Sequence, residues 1–165
     1  MARASLDCLK LDRILWVPTG KPRYRKPAVA SPEHRLAMLR LALAGEPRYI
    51  IDERELSAEA TGYTVDSLHA MKREYGGDAV FYLIMGGDQY AKLDSWHRPD
   101  EVKRLARIAV VARPGFRGEG ETVVRMEPLT ISGSNIRARV ARGEDIAALV
   151  PAAVANYIRR EGLYT

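Results

Sequence analysis

The chain has 165 residues, the size of one domain that can bury a core of its own. Its 47% hydrophobic and 28% charged residues are typical of a soluble globular protein, and its longest apolar run, residues 79–85, is too short to cross a bilayer. The net charge of +5 does not by itself separate a nucleic-acid ligand from a small polyanion. Because the basic residues are spread along the chain and form no long run, we expect neither a nucleic-acid partner nor a membrane.

Cysteine content and the N-terminus bear on the compartment. The single cysteine, Cys8, excludes an internal disulfide, and the first residues lack the apolar region of a secretory signal. We therefore expect a cytoplasmic protein. Because Cys8 lies among Leu6, Leu9 and Leu11, we expect a buried, inert thiol rather than a nucleophile.

Apolar runs of strand length alternate with helical segments along the chain. Residues 1–11 have the pattern of the second half of a helix, and residues 21–26, with four basic side chains, read as a loop. The predicted strands are residues 13–17, 49–51, 79–85, 107–112 and 122–126. This alternation predicts an α/β fold, a doubly wound parallel sheet with helices on both faces, in a single domain.

Three segments carry the start signals, apolar stripes and stop signals of helices. The first begins with Ser31 as its cap and stops at Gly45; the second covers Thr64–Tyr75, and the third covers residues 151–162. The expected buried stripes are Leu36, Leu39 and Leu43; Val65, Leu68 and Met71; and Val154, Tyr157 and Ile158.

Residues 131–139, Ile-Ser-Gly-Ser-Asn-Ile-Arg-Ala-Arg, form the most informative segment. Backbone N–H groups at a helix start, the hydroxyls of Ser132 and Ser134 and the guanidinium of Arg137 would converge where an anion such as a phosphate binds. Taken alone, the segment is explained as well by an ordinary N-cap.

Gly86, Gly87 and Asp88 directly follow the most apolar strand. Glycines at the carboxyl end of a parallel strand let a ligand approach the backbone, and an aspartate there accepts hydrogen bonds from a ribose. The alternative is a tight turn in which Asp88 caps the next helix.

Two further segments are candidates for binding an aromatic carboxylate. Trp96 stands in a polar stretch after the strand and offers a face for stacking, although a lone Trp is more often a core or lid residue. Thr61 or Thr64 is expected to cap the second helix, whose first N–H groups would also hold a carboxylate. The three histidines are scattered and give no zinc site, and there is no Gly-x-Ser-x-Gly elbow of a serine hydrolase.

Seven motifs in the same order resemble those of the bacterial nicotinate-nucleotide adenylyltransferases, which belong to the nucleotidylyltransferase superfamily with a Rossmann-like fold. The resemblance extends from about residue 2 to the end of the chain. The motifs are Trp16-Val17-Pro18, His34-Arg35-Leu36-Ala37-Met38-Leu39, Thr61-Gly62-Tyr63-Thr64-Val65-Asp66-Ser67-Leu68, Gly86-Gly87-Asp88, Asp94-Ser95-Trp96, Ala112-Arg113-Pro114-Gly115 and Ile131-Ser132-Gly133-Ser134-Asn135-Ile136-Arg137.

The resemblance implies a reaction and its substrates. Such enzymes join nicotinate mononucleotide to the adenylyl group of ATP, with Mg²⁺, and release pyrophosphate and deamido-NAD. The segment of Thr61, Tyr63 and Thr64 would then bind the nicotinate carboxylate through backbone amides, and Trp96 would stack on the pyridine ring. Lys26 would meet the mononucleotide phosphate.

The resemblance also implies the ATP-binding residues. Asp88, with Gly86 and Gly87, would hold the adenosine ribose, and Arg113 would flank the adenine. The ATP phosphates would contact Ser132, Ser134 and Arg137. The phosphate of the substrate attacks the α-phosphorus in line, so the protein positions two anions and needs no nucleophile of its own.

One part of the family pattern is absent from the sequence. Family members begin with a strand and a Gly-x-Phe-Asp-Pro-x-His-x-Gly-His segment whose histidines contact the ATP phosphates, and Met1 falls inside the helix that follows. We therefore expect residues 1–165 to be an N-terminally incomplete nucleotidylyltransferase domain, short of about 20 to 25 residues, with two unpaired edges inside its sheet. Either a late start codon or a truncated relative explains this.

Three functions remain open at this stage. The first is the adenylyltransferase, with weak or undetectable activity in the chain as it stands. The second is a nucleotide-binding module of the same fold that has lost catalysis, and the third is an adenylyltransferase for a related substrate such as phosphopantetheine. The sequence leaves the oligomeric state open, including a homo-oligomer.

Overall fold

The computed structural model of the chain describes residues 1–20, 29–111, 122–126 and 131–165. In these ranges the α-helices are α1 (Ala2–Leu9), α2 (Pro32–Leu43), α3 (Thr64–Tyr75), α4 (Gly87–Tyr90), α5 (Pro99–Leu105), α6 (Gly133–Ala141) and α7 (Ala152–Arg160). The strands are β1 (Ile14–Trp16), β2 (Tyr49–Ile51), β3 (Tyr82–Gly86), β4 (Arg107–Val111) and β5 (Thr122–Val124). None of the helices described is long and apolar enough to span a bilayer.

The strands form two sheets. In the order β3-β4-β5 all neighbours are parallel, with Gly86 opposite Val111 and Val111 opposite Val124. β1 and β2 form the other sheet. The predicted α/β class with a parallel sheet is confirmed.

One compact unit combines Met1–Ile14 with Glu59–Pro128. Its sheet contributes a buried cluster of Ala109, Val111 and Val124, on which apolar side chains of α1 pack. α3 packs against α5, and Val65 and Val102 of these helices are fully buried. Burial of a valine side chain stabilises the fold by about 1.5–3 kcal/mol, so this packing fixes the position of α3.

The other compact unit combines Leu15–Ala58 with Leu129–Thr165. α2 packs against α7, and the Nδ1 atom of His34 lies 2.9 Å from the hydroxyl of Tyr157 across this interface. The buried cluster of this unit consists of Ile146, Val154, Ala155 and Ile158. The single domain predicted for residues 1–165 stays a prediction.

Several sequence expectations hold in detail and others are wrong. Ser31 caps α2, since its hydroxyl accepts the N–H of His34 at 3.4 Å. The expected leucine stripe of α2 is only half-buried. Met38 and Leu41 are instead the side chains of this helix that pack on the buried cluster of Ile146, Val154, Ala155 and Ile158.

The start of β3 also differs from the prediction, which placed the strand over residues 79–85. The strand begins at Tyr82. Before it, the carbonyl of Ala79 accepts a hydrogen bond from Nζ of Lys72 at 2.8 Å, and the side chain of Val80 is exposed. Cys8 is exposed rather than buried, because the face of α1 that packs inward carries Ser5, Leu6 and Leu9.

Candidate functional site

The start of α6 has the geometry of an anion-binding site. Ser132 is its N-cap, and the Ser132 hydroxyl accepts the N–H of Asn135 at 3.2 Å and lies 3.0 Å from the hydroxyl of Ser134. Ser132, Gly133 and Ser134 are exposed. The first N–H groups of a helix have no partner inside it and lie at the positive end of its dipole, so this surface favours a phosphate oxygen.

Arg137 folds back onto this helix start. A Cβ atom on Gly133 would lie 3.2 Å from the Nη1 atom of Arg137, so the guanidinium occupies the space that the glycine leaves open. Side chains of a helix lean toward its N-terminus, which explains why a residue one turn later reaches this position. Within the described residues no carboxylate pairs with Arg137, whereas the neighbouring Arg139 is paired with Glu144. The sequence did not reveal this role of Gly133.

Tyr164 and Arg35 belong to the surroundings of Arg137. Burial raises the pKa of the Tyr164 phenol, and the charges of Arg137 and Arg35 act in the opposite direction. The phenol is therefore uncharged at neutral pH and does not neutralise either arginine. Arg35 donates through Nη2 to the carbonyl of Gly20 at 3.5 Å, while its buried Nε has no hydrogen-bond partner among the described residues. The sequence motif at His34 and Arg35 does not by itself indicate a role for Arg35.

Gly86, Gly87 and Asp88 lie at the carboxyl end of β3, the edge of a parallel sheet at which ligands bind. A Cβ atom on Gly86 would lie 2.8 Å from the Oδ1 atom of Asp88, so the glycine lets the carboxylate turn back toward the strand end. Gly86 is the N-cap of α4, and no side chain caps this helix. Asp88 is exposed in the first turn, and the alternative of a capping Asp88 is wrong.

The loop before α3 is held by its own side chains. Gly62 has φ of +75°, and the hydroxyl of Thr61 accepts the N–H of Tyr63 at 3.2 Å and donates to Asp66 at 2.6 Å. Tyr63 is the N-cap and no side chain caps the helix, so the expectation that Thr61 or Thr64 would do so is wrong. The positive φ of Gly62 turns the chain so that the Thr61 hydroxyl meets Tyr63 and Asp66 instead. Thr64 is the first residue of α3, where N–H groups lack intrahelical partners.

Trp96 directly follows the short 3-10 helix Leu93–Ser95 and is half-buried. The next residue, His97, stacks on the ring of Tyr63, with the ring centroids 4.2 Å apart and the planes at 28°. The structure therefore brings together the segments of Thr61–Thr64 and Trp96, which the sequence identified separately. The sequence alone gives no signal for this role of His97, one of three scattered histidines.

Two predicted site residues, Lys26 and Arg113, lie outside the described residues. Across the ranges given above, no three His, Cys, Asp or Glu side chains cluster as metal ligands. The described candidates thus fall into an anion site at α6 in one unit, and the β3 edge with the Thr61 and Trp96 segments in the other.

Known proteins are similar to this chain in sequence and in fold. The cytidylyltransferase-like family model matches residues 1–139. The chain is 41% identical to a probable nicotinate-nucleotide adenylyltransferase of Laribacter hongkongensis, over 99% of this chain and 86% of the relative. It is 38% identical to the probable enzyme of the same name in Thermomicrobium roseum, over 94% of this chain and 79% of the relative.

A solved structure is similar in fold. Nicotinic acid mononucleotide adenylyltransferase of Plasmodium falciparum, complexed with NaAD, superposes with a TM-score of 0.76 at 19% identity. The match covers 93% of this chain and 83% of that one. This likeness confirms the predicted Rossmann-like fold class.

Proposed function

Since this chain belongs to the nicotinate-nucleotide adenylyltransferase family, among the cytidylyltransferase-like proteins, we propose that it transfers the adenylyl group of ATP to nicotinate mononucleotide. In this reaction a phosphate oxygen of the mononucleotide forms a bond to the α-phosphorus of ATP, and the bond from that phosphorus to the β-phosphate oxygen breaks. The products are deamido-NAD and pyrophosphate. The observation that carries the proposal is the convergence of hydroxyls, backbone N–H groups and Arg137 at the start of α6.

The α6 start is proposed to bind the ATP phosphates. A triphosphate can accept hydrogen bonds from Ser132, Ser134 and Arg137. Arg137 has no competing carboxylate among the described residues. Fixed donors aimed at charge that develops during phosphoryl transfer stabilise the transition state, and removal of one such donor typically costs about 10²–10³ in rate. The site therefore contributes by positioning and electrostatics, without an acid–base pair.

The first turn of α3 and Trp96 are proposed to bind the nicotinate group. The N–H of Thr64 and the helix dipole favour a carboxylate over a neutral carboxamide, which predicts a preference for the acid form of the mononucleotide. The N–H of Tyr63 already contacts the Thr61 hydroxyl, so it would be shared with a ligand. The half-buried indole of Trp96 supplies a stacking face for the pyridine ring.

The remaining predicted contacts complete the proposed site. Asp88, whose carboxylate has no hydrogen-bond partner within the described residues, would accept the ribose hydroxyls beside Gly86 and Gly87. Lys26 at the mononucleotide phosphate and Arg113 beside the adenine remain predictions from the family resemblance.

The family suggests a divalent metal with ATP, and we propose Mg²⁺. The described residues at the α6 start offer hydroxyls and a guanidinium rather than a carboxylate cage. Mg²⁺ commonly keeps several waters and binds the phosphate oxygens of the substrate, so it fits this site as the ion that enters with ATP. A cytoplasmic location is part of the same proposal, and a homo-oligomer stays open.

Calorimetric titration with deamido-NAD tests the binding half of the proposal, and its formation from nicotinate mononucleotide, ATP and Mg²⁺ tests the chemistry. We expect deamido-NAD to bind more tightly than NAD, and chromatography to detect slow formation of deamido-NAD when protein is in excess over substrate. A chain that binds neither dinucleotide contradicts the proposal. Binding without any turnover would favour the nucleotide-binding module instead.

A further inference from the structure

A stacked ring pair joins the two segments to which the proposed function assigns the nicotinate group. Tyr63 is the N-cap of α3 and His97 is the neighbour of Trp96 in the chain. Their ring centroids are 4.2 Å apart and their planes are inclined by 28°. Stacked pairs at this separation stabilise the arrangement beyond the burial of their surface. The stack therefore limits how far Trp96 can move from the first turn of α3.

An ion pair with a largely buried carboxylate holds the other side of the same segment. Arg98 has φ of +55°, a left-handed conformation that is uncommon for residues other than glycine. Its Nη2 atom lies 2.5 Å from the carboxylate of Glu101, whose side chain is only 15% exposed. Glu101 also contacts Nε2 of His69 on α3, at 2.8 Å. The segment that contains Trp96 is thus attached to α3 at two points, the ring stack and Glu101.

The chemistry of the ligand requires such a fixed distance. The carboxylate of nicotinate is bonded directly to its aromatic ring, so the ligand cannot adjust the separation between its acceptor oxygens and its stacking face. If the stacking face and the N–H donors are already spaced correctly, the protein loses less conformational entropy when it binds the ligand.

We propose that His97 is a positioning residue for nicotinate recognition, which holds Trp96 at a fixed distance from the N–H groups of α3 through its stack on Tyr63. The inference rests on the proposed function for its ligand, but the position of Trp96 can be measured without one. A positioning role predicts that substitution of His97 lowers the affinity for the mononucleotide and leaves the affinity for ATP unchanged.

The test uses the Trp16→Phe variant as the parent, which leaves Trp96 as the only tryptophan of the two in the chain. His97→Ala removes the stack, and His97→Phe preserves it. Without ligand, we expect His97→Ala to raise the quenching of Trp96 fluorescence by acrylamide, and His97→Phe to match the parent. With ligand, His97→Ala should weaken nicotinate mononucleotide binding by about 3- to 10-fold at unchanged ATP affinity.

Tyr75→Ala is the matched control, because it removes another aromatic pair of the same unit, between Tyr75 and Phe81 at 5.9 Å. It should leave both Trp96 readouts unchanged. If acrylamide quenches Trp96 in His97→Ala no more than in the parent, the positioning role is overturned. It is also overturned if His97→Phe loses as much mononucleotide affinity as His97→Ala, or if His97→Ala loses ATP affinity to the same extent. A parent that fails to bind nicotinate mononucleotide overturns the proposed function instead, so the two failures are distinguishable.

Discussion

Arg137→Ala tests the anion site at α6 most sharply. The substitution removes a guanidinium that lies over the helix start in the space beside Gly133 and has no ion-pair partner in the described ranges. A charge-assisted hydrogen bond contributes about 1.5–3 kcal/mol, so ATP affinity should fall by about 10- to 150-fold. Titration calorimetry measures this directly, and because salt screens exposed charges, the difference from the parent should narrow as ionic strength rises.

Arg139→Ala provides the matched control on the same helix. Its guanidinium contacts Asn135 at 3.1 Å and Glu144 at 3.6 Å. Its loss therefore removes one positive charge but none of the groups proposed to bind phosphate, which are Ser132, Ser134 and Arg137. We expect ATP affinity within about twofold of the parent, since the remaining effect is long-range and screened. Equal losses in the two variants would show that net charge, and not the placement of Arg137, accounts for binding, and would refute the reasoning.

Three further outcomes follow from the structure. Trp96→Ala should raise the KM for nicotinate mononucleotide by about 3- to 10-fold at unchanged KM for ATP, with Trp96→Phe close to the parent; a larger change for ATP contradicts the stacking role. Gly86→Ala places a Cβ 2.8 Å from the Asp88 carboxylate, so ATP affinity should fall about fivefold or more, and an unchanged affinity contradicts the ribose assignment. Ser31→Ala removes the cap of α2 and should lower the free energy of unfolding in urea by about 1 kcal/mol; no loss would mean that the 3.4 Å contact to His34 does not stabilise the helix.

The elements that could be predicted are those with complete local signals. Thr64–Tyr75 has a buried stripe of Val65, Leu68 and Met71 and a stop at Gly76, whose φ is +81°, and its bounds match the prediction. α5 was missed although Pro99 stands at its first position and acidic residues follow, because only Val102 of this short helix is buried. A single buried residue gives no periodic pattern to detect.

In the candidate site, too, only the contacts between residues adjacent in the chain can be predicted from the sequence. The cap formed by Ser132 depends on residues adjacent in the chain, so the sequence predicts it. The stack of Tyr63 on His97 depends on how α3 and α5 pack, and the exact position of Arg137 depends on its rotamer and on the space at Gly133. Neither follows from local propensity, because tertiary packing sets the stack and the choice of side-chain rotamer sets the position of Arg137.

A crystal structure of the chain with ATP and Mg²⁺ tests the central claim most directly, namely that the start of α6 binds the triphosphate. We predict phosphate oxygens at hydrogen-bond distance, about 3 Å, from the hydroxyl of Ser132 and the guanidinium of Arg137. A triphosphate bound elsewhere, with the start of α6 in contact only with solvent, would contradict it.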